Sequence, residues 1–145
     1  MGVESPVRMS AALRWTSYGV FALLWVSGCG WLALHFLLPQ PGQFGALPNP
    51  WEPSVLRVHG WLAVAGVFLL GWISGGHIMD RWPLYRARVS GPFLATLAVF
   101  LVASGYALYY FTDRLHEAAA ATHEVLGTAG ILLALLHWRR NGRRR

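Results

Sequence analysis

The histidines offer the clearest capacity for chemistry, because five of the six lie within long apolar segments and four of those form two spaced pairs. Two of them, His123 and His137, are fourteen residues apart in the segment 122–140. Fourteen residues of α-helix make almost four turns, so both imidazoles lie on one helix face, about 21 Å apart along the axis. Imidazoles at that distance cannot share one metal ion. The spacing therefore predicts two sites, one near each side of a membrane.

A second apolar segment carries His59 and His77, which are eighteen residues or five helical turns apart and also share a face. In the topology argued below, the two segments run parallel. His59 then lies at the depth of His123, and His77 at the depth of His137. Histidines inside a membrane are costly and usually functional. Four of them, paired by depth, predict bis-histidine ligation of two b haems, which carry electrons because both axial positions are filled.

The outer ligand has an alternative, because the spacings of eighteen and fourteen residues leave a mismatch of about 6 Å in helical rise. His116 lies seven residues before His123, on nearly the same face. We prefer His123, which lies deeper in the apolar segment and belongs to a sequence repeat. The sixth histidine, His35, is interpreted as a polar residue that reaches the interface, with a role as outer ligand as its alternative.

The repeat relates the two histidine-bearing segments through the pattern H-x2-L-x2-A-G-x2-L. It begins at His59 in HGWLAVAGVFLL and at His123 in HEVLGTAGILLA. The pattern places Gly66 and Gly130 seven residues after the outer histidine, on the histidine face. A small residue at such a position lets a neighbour approach closely. We expect both glycines to give clearance to a haem, and simple helix packing is the alternative.

Composition identifies the solvent of these segments as lipid. Hydrophobic residues make up 55% of the 145 residues and charged residues only 12%, whereas soluble domains carry about 25% charged residues. Four stretches are long enough to cross about 30 Å of hydrocarbon, and a segment rich in proline and glycine forms an outer loop. The sequence predicts one all-α integral membrane domain, an up-and-down bundle of four transmembrane helices. The predicted spans are 15–38, 55–78, 91–111 and 119–138, and the outer loop is 39–54.

The net charge of +6 comes from arginine alone, because the chain has no lysine. Ten of the twelve arginines lie in the two tails and in the connector after the second span. The positive-inside rule then places both termini and that connector in the cytoplasm. Arginines confined to span ends argue against nucleic acid as a partner. The basic side chains that could pair with haem propionates, or serve only as topology signals, are Arg57 and Arg114 outside and Arg81, Arg139 and Arg140 inside.

Between residues 55 and 140 the chain resembles the bacterial four-helix membrane b-type cytochromes. This group includes the cytochrome b subunits of formate dehydrogenases and nickel-iron hydrogenases, and related small cytochrome-b-like proteins. The likeness rests on His123 and His137 with Trp138 and arginines after them, and on SGYALYY before a histidine-bearing span. Those subunits take one ligand from the cytoplasmic end of the first span. Here the first span has only His35, at its outer end, so His77 is the substitute.

The resemblance implies a protein of the bacterial inner membrane with two non-covalently bound b haems. It implies electron transfer between a quinone pool and a partner redox subunit, as part of an oxidoreductase complex rather than as a free-standing enzyme. A quinone site needs an ionisable group beside a haem, for which Glu117 and Glu124 outside and Asp80 inside are candidates. The alternatives are a single-haem cytochrome, a non-redox anchor or assembly subunit, and a small transporter that uses histidines for protons or a metal.

Overall fold

The computed structural model describes residues 10–75 and 90–142, with side chains described as far as Arg139. This part of the chain contains four long helices and a small β-hairpin. The elements are α1 (Ala11–Phe36), β1 (Gln40–Gly42), β2 (Gly45–Leu47), α2 (Glu52–Ile73), α3 (Ser90–Tyr110) and α4 (Asp113–Gly142). Each helix is long and apolar enough to cross a membrane. The prediction of four apolar helices of membrane-spanning length is therefore confirmed.

The helices form two compact units, which divide the chain into Met1–Asp80 and Arg81–Arg145. In the first unit α1 packs against α2, and in the second α3 packs against α4. Each unit is thus an antiparallel helical hairpin, and the two are called the first and second hairpin below. Consecutive helices pack side by side in this way when the connection brings the beginning of one helix close to the end of the other.

The bounds of helix α1 follow from a capping serine at its beginning and a proline after its end. It starts four residues before the predicted span, because the Leu13 backbone N–H donates to Ser10 Oγ at 3.2 Å and so satisfies one amide of the first turn. It ends at Phe36, since Pro39 lacks an N–H and disfavours helix in the residue before it. Local polar chemistry therefore moves the helix toward the N-terminus relative to the span that hydropathy predicts.

The connection between α1 and α2 is more ordered than the predicted loop over 39–54. Its strands pair antiparallel, with Gln40 opposite Leu47 and Gly42 opposite Gly45. Gly45 has a φ of +130°, and a Cβ on Gly42 would lie 2.6 Å from the Gly45 carbonyl oxygen. The tight turn therefore requires glycine at both positions.

The connection between α3 and α4 is shorter than the sequence analysis predicts. The expected turn covers 112–118, but α4 begins at Asp113, so Phe111 and Thr112 alone separate the helices. The residues after Glu117 are four alanines, and alanine has the highest helix propensity. The helix therefore extends back through His116 and Glu117, although neither is apolar.

Both hairpins expose apolar side chains over most of their surface. Leu69 and Ala119 are the buried hydrophobic residues of the described chain, whereas large side chains such as Trp61 and Val99 are mostly exposed. An isolated pair of helices cannot cover such a surface in water, where exposed patches of this size are rare. The apolar helices therefore indicate a lipid bilayer environment and a multi-pass membrane protein.

Gly66 lies where α2 meets α1, and we expect substitutions there to distinguish close packing from open space. A Cβ at Gly66 would lie 3.5 Å from Phe21 and 3.6 Å from Leu24, which is ordinary van der Waals contact. Gly66→Ala should therefore keep or raise the melting temperature. Gly66→Leu should overpack the contact and destabilise the hairpin by about 1–3 kcal/mol.

The matched control is Gly60→Leu on the same helix, because no atom would lie within 4 Å of its Cβ. Thermal unfolding in detergent, followed by circular dichroism at 222 nm, measures all three variants. Equal melting temperatures for Gly66→Leu and Gly60→Leu would contradict the packing described here.

Candidate functional site

In the first hairpin, the imidazole of His59 on α2 is held by a Ser-Gly pair on α1. His59 Nδ1 lies 3.0 Å from Ser27 Oγ, and the Ser27 hydroxyl donates to the Leu24 carbonyl at 2.9 Å. A Cβ on Gly28 would lie 3.1 Å from His59 Cε1. The ring therefore lies directly against the α1 backbone, which only glycine permits without displacement.

The second hairpin repeats this arrangement with His123 on α4 and a Ser-Gly pair on α3. His123 Nδ1 lies 3.0 Å from Ser104 Oγ, and the Ser104 hydroxyl donates to the Phe100 carbonyl at 2.7 Å. A Cβ on Gly105 would lie 3.1 Å from His123 Cε1. Both hairpins thus give the outer histidine of the sequence repeat the same neighbours at the same distances.

The hydrogen bonds define which ring nitrogen carries the proton. A serine hydroxyl has one hydrogen, and both serines donate it to a carbonyl of their own helix. With the serine hydrogen on that carbonyl, Nδ1 of His59 and of His123 is the donor to the serine oxygen in the matching tautomer. In a neutral imidazole the other nitrogen, Nε2, holds the lone pair that a metal ion needs. A hydrogen bond from the second ring nitrogen is the usual way in which proteins orient a metal-ligating histidine.

A third histidine of the described chain also meets a serine. His137 Nδ1 lies 3.3 Å from Ser90 Oγ at the other end of the second hairpin. Ser90 and Ser104 on α3 are fourteen residues apart, as are His123 and His137 on α4, so the pairs lie in antiparallel register. The second hairpin therefore carries two histidine positions separated by about 21 Å along α4, as the sequence predicts.

The glycines of the repeat lie against side chains of the partner helix within their own hairpin. Gly66 is buried and faces Phe21 and Leu24. A Cβ on Gly130 would lie 3.1 Å from Leu97 Cδ2, so α3 approaches α4 closely at that point. Both glycines allow close helix packing, and their contact with a haem stays a prediction.

The remaining predicted residues that the structure describes lie at the surface. His116 is exposed, one turn into α4, whereas His123 is half-buried, which favours His123 as the outer position. The predicted partners of the haem propionates, Arg57, Arg114 and Arg139, have exposed side chains. Of the predicted quinone residues, Glu117 is exposed and Glu124 is half-buried. His77, Asp80 and Arg81 lie outside the described residues, and the Arg140 side chain lies outside the described side chains.

His35 belongs to a separate polar cluster at the end of the first hairpin. Its Nδ1 lies 3.1 Å from Glu52 Oε2, and Glu52 Oε1 accepts the Asn49 backbone N–H at 2.9 Å. Asn49 in turn donates from its side chain to the Leu38 carbonyl at 2.8 Å, and its side-chain oxygen accepts the Trp51 backbone N–H at 3.0 Å. The cluster ties the end of α1 to the beginning of α2. Sequence reasoning missed Glu52, because it counted that residue as part of a loop.

The serines were also missed, although the sequence contains a signal for them. The pattern L-x2-S-G occurs at 24–28 and again at 101–105, once in each helix that precedes an outer histidine. A search for repeats limited to the histidine-bearing spans does not reveal it. Within the described part of the chain, no three His, Cys, Asp or Glu side chains lie close enough together to hold a metal ion.

Comparison with known proteins gives no assignment, since no family model, curated protein or solved structure matches this chain.

Proposed function

We propose that this chain is a dihaem b-type cytochrome of a bacterial inner membrane, which transfers electrons between a quinone pool and a partner redox subunit. One observation carries the proposal. His59 and His123 occupy equivalent positions in two hairpins, each with Nδ1 3.0 Å from a serine Oγ. Bis-histidine ligation needs two imidazole ligands for one haem, and the repeated contact gives two histidines the same local support.

The donor chemistry of the described residues fits a haem. Neutral imidazole nitrogen is a common axial ligand of haem iron, and each described candidate ligand has a serine at Nδ1 to fix its orientation. His59 and His123 would hold one haem, and His77 and His137 the other. A bound haem supplies reversible one-electron reduction at iron. The protein supplies the ligands, the apolar surroundings and the hydrogen bonds that set ligand basicity.

The arrangement of the two sites supports transfer across the membrane. His123 and His137 are about 21 Å apart along α4, which places one site toward each side. The positive-inside rule puts the His137 end in the cytoplasm, together with both termini. In this proposal the substrate chemistry belongs to a partner that docks at one membrane face.

We expect the purified chain to be red, with a Soret band and dithionite-induced α and β bands. A pyridine haemochrome assay should give about two haems per chain if both bis-histidine sites are filled. His59→Ala and His123→Ala should each lower the count to about one, and His77→Ala and His137→Ala should each remove the other haem, because every ligand pair loses one member. His116→Ala should keep both haems.

These variants also discriminate among the alternatives. A colourless protein from haem-replete membranes would contradict the redox function and leave an anchor or assembly subunit. One haem per chain in the wild type would identify a single-haem cytochrome. Loss of a haem in His116→Ala with retention in His123→Ala would move the outer ligand to the start of α4.

A second prediction concerns the serines that hold the histidines. Ser27→Ala and Ser104→Ala remove the acceptor for Nδ1–H of His59 and His123 while leaving both ligands in place. Loss of such an outer hydrogen bond usually lowers affinity for the bound metal about 10- to 100-fold. It also makes the imidazole less basic, so the midpoint potential of that haem should rise. Haem-transfer titration to apomyoglobin and redox potentiometry measure the two effects.

Ser17→Ala is the matched control for these serines. Ser17 lies on α1, is buried, and donates to the Leu13 carbonyl at 2.7 Å, as Ser27 donates to Leu24. Its removal should leave haem affinity and potential unchanged. Equal effects of Ser17→Ala and Ser27→Ala would show that the serines matter for helix packing and not for the histidines.

A further inference from the structure

The structure assigns a second polar site to the first hairpin, separate from the histidine and serine pairs. We propose that His35 and Glu52 form the proton-accepting site at which a lipid-soluble hydroquinone is oxidised. The inference rests on the proposed function, because the electron must pass to a haem held by His59. It adds His35 as the residue that receives the proton and Glu52 as the carboxylate that orients it, neither of which is among the quinone candidates predicted from sequence.

The geometry of the pair is that of a carboxylate that orients an imidazole. Both carboxylate oxygens of Glu52 are in use, one toward the Asn49 N–H and the other toward His35 Nδ1. An ionised carboxylate only accepts hydrogen bonds, so Nδ1 of His35 donates and Nε2 holds the lone pair. The carboxylate also stabilises the imidazolium that forms when Nε2 takes a proton. His35 is thereby equipped as a proton acceptor.

The side chain that is to accept the proton, His35, is more exposed than the carboxylate that orients it, Glu52. The side chain of Glu52 is 11% exposed, whereas that of His35 is 42% exposed. Because Glu52 is bonded at Nδ1 and the His35 side chain keeps the larger exposed fraction, the proposal assigns the ligand to the Nε2 side of the ring. A buried carboxylate is costly in an apolar helix unless it is paired or hydrogen-bonded, and here both conditions hold.

The surroundings of His35 suit a planar aromatic ligand that arrives from lipid. The imidazole is stacked on Trp31, with ring centroids 4.8 Å apart and planes within 13°. The Phe36 ring lies perpendicular to the imidazole, with ring centroids 4.7 Å apart. Phe36 and Leu37 are 62% and 75% exposed. A hydroquinone ring can pack on these apolar groups while its hydroxyl donates to Nε2.

The pair also lies on the helix face that carries the predicted haem ligand. Glu52 and His59 are seven residues apart on α2, which is two turns or about 10 Å of rise. Both contact α1, through His35 and Ser27. The proton and the electron of one hydroquinone can therefore leave toward neighbouring positions of the same hairpin.

Oxidation of one hydroquinone to the quinone releases two protons and two electrons. In each of two one-electron steps, a hydroxyl O–H breaks and His35 Nε2 takes its proton. A haem held by His59 would supply the acceptor for each electron, and the partner would take that electron on before the next step. His35 then gives the proton to water at its exposed edge, and the carboxylate of Glu52 stays ionised throughout.

The test uses the full chain in lipid nanodiscs and a fluorescent hydroquinone analogue, 2-heptyl-4-hydroxyquinoline N-oxide. Fluorescence quenching gives its Kd without turnover. Glu52→Gln keeps an oxygen for the Asn49 N–H but presents an amide N–H to His35 Nδ1. Nδ1 must then accept, so the imidazole proton moves to Nε2. Nε2 can no longer accept a proton from the hydroquinone. We expect the Kd to rise at least tenfold in Glu52→Gln and in His35→Ala. Haem reduction by duroquinol should slow by a similar factor, while reduction by dithionite is unchanged.

The matched control is Asp113→Asn, since Asp113 is the first residue of α4 as Glu52 is the first residue of α2. It should bind the analogue as the wild type does. If both His35 and Glu52 variants melt at lower temperature but keep the wild-type Kd, the pair is only a clamp between helices and the proposal is wrong. A raised Kd in Glu117→Gln alone would also overturn it, by moving the site to the second hairpin.

A measurement on the unmodified protein covers the case in which the variants do not fold. A photoreactive azidoquinone should label peptides that contain residues 31–37 or 49–52, and labelling confined to other segments would overturn the proposal. The two functions can fail separately. Haem-free protein whose analogue binding depends on His35 and Glu52 would contradict the cytochrome but keep the site. A dihaem protein whose binding ignores both residues would contradict the site alone.

Discussion

An imidazole inside hydrocarbon has an N–H that water cannot reach, and this constraint shapes both helical hairpins. An unsatisfied buried donor costs about 1–3 kcal/mol, so each histidine needs an acceptor from a neighbouring helix. Serine meets the need because it donates its own proton to a carbonyl of its helix and still offers oxygen lone pairs. The pairing fixes which helices must touch and at which residues.

The hairpin is the unit in which this constraint is met. The Ser27–His59 and Ser104–His123 pairs have the same distances although 32 residues separate the first pair and 19 the second. The two separations differ because the connections differ in length. The connection between α1 and α2 includes a β-hairpin, whereas two residues connect α3 and α4. Helix register therefore follows from side-chain pairing and not from loop length. The duplicated motif gives His59 and His123 the same local surroundings in the two hairpins.

The sequence predicts the four helices well, because long apolar runs leave little freedom in lipid. It also predicts that His123 and His137 lie on one helix, and both lie on α4. It does not predict where α4 begins, because hydropathy undervalues the helix propensity of the alanines after Glu117. Nor does it predict the serine contacts or the His35–Glu52 pair. Those depend on the register between two helices, which the periodicity of one helix does not contain.

The order of residues along the chain has a consequence for biogenesis. Each serine lies on the helix that precedes its histidine, so Ser27 is synthesised before His59 and Ser104 before His123. When a histidine-bearing helix enters the membrane, its hydrogen-bond acceptor is already present, and the contact is local enough to form early. The imidazoles are thereby preorganised before any cofactor arrives. A cofactor bound by these histidines, as proposed, would meet side chains that have already lost their conformational entropy, which would strengthen binding without a further contact.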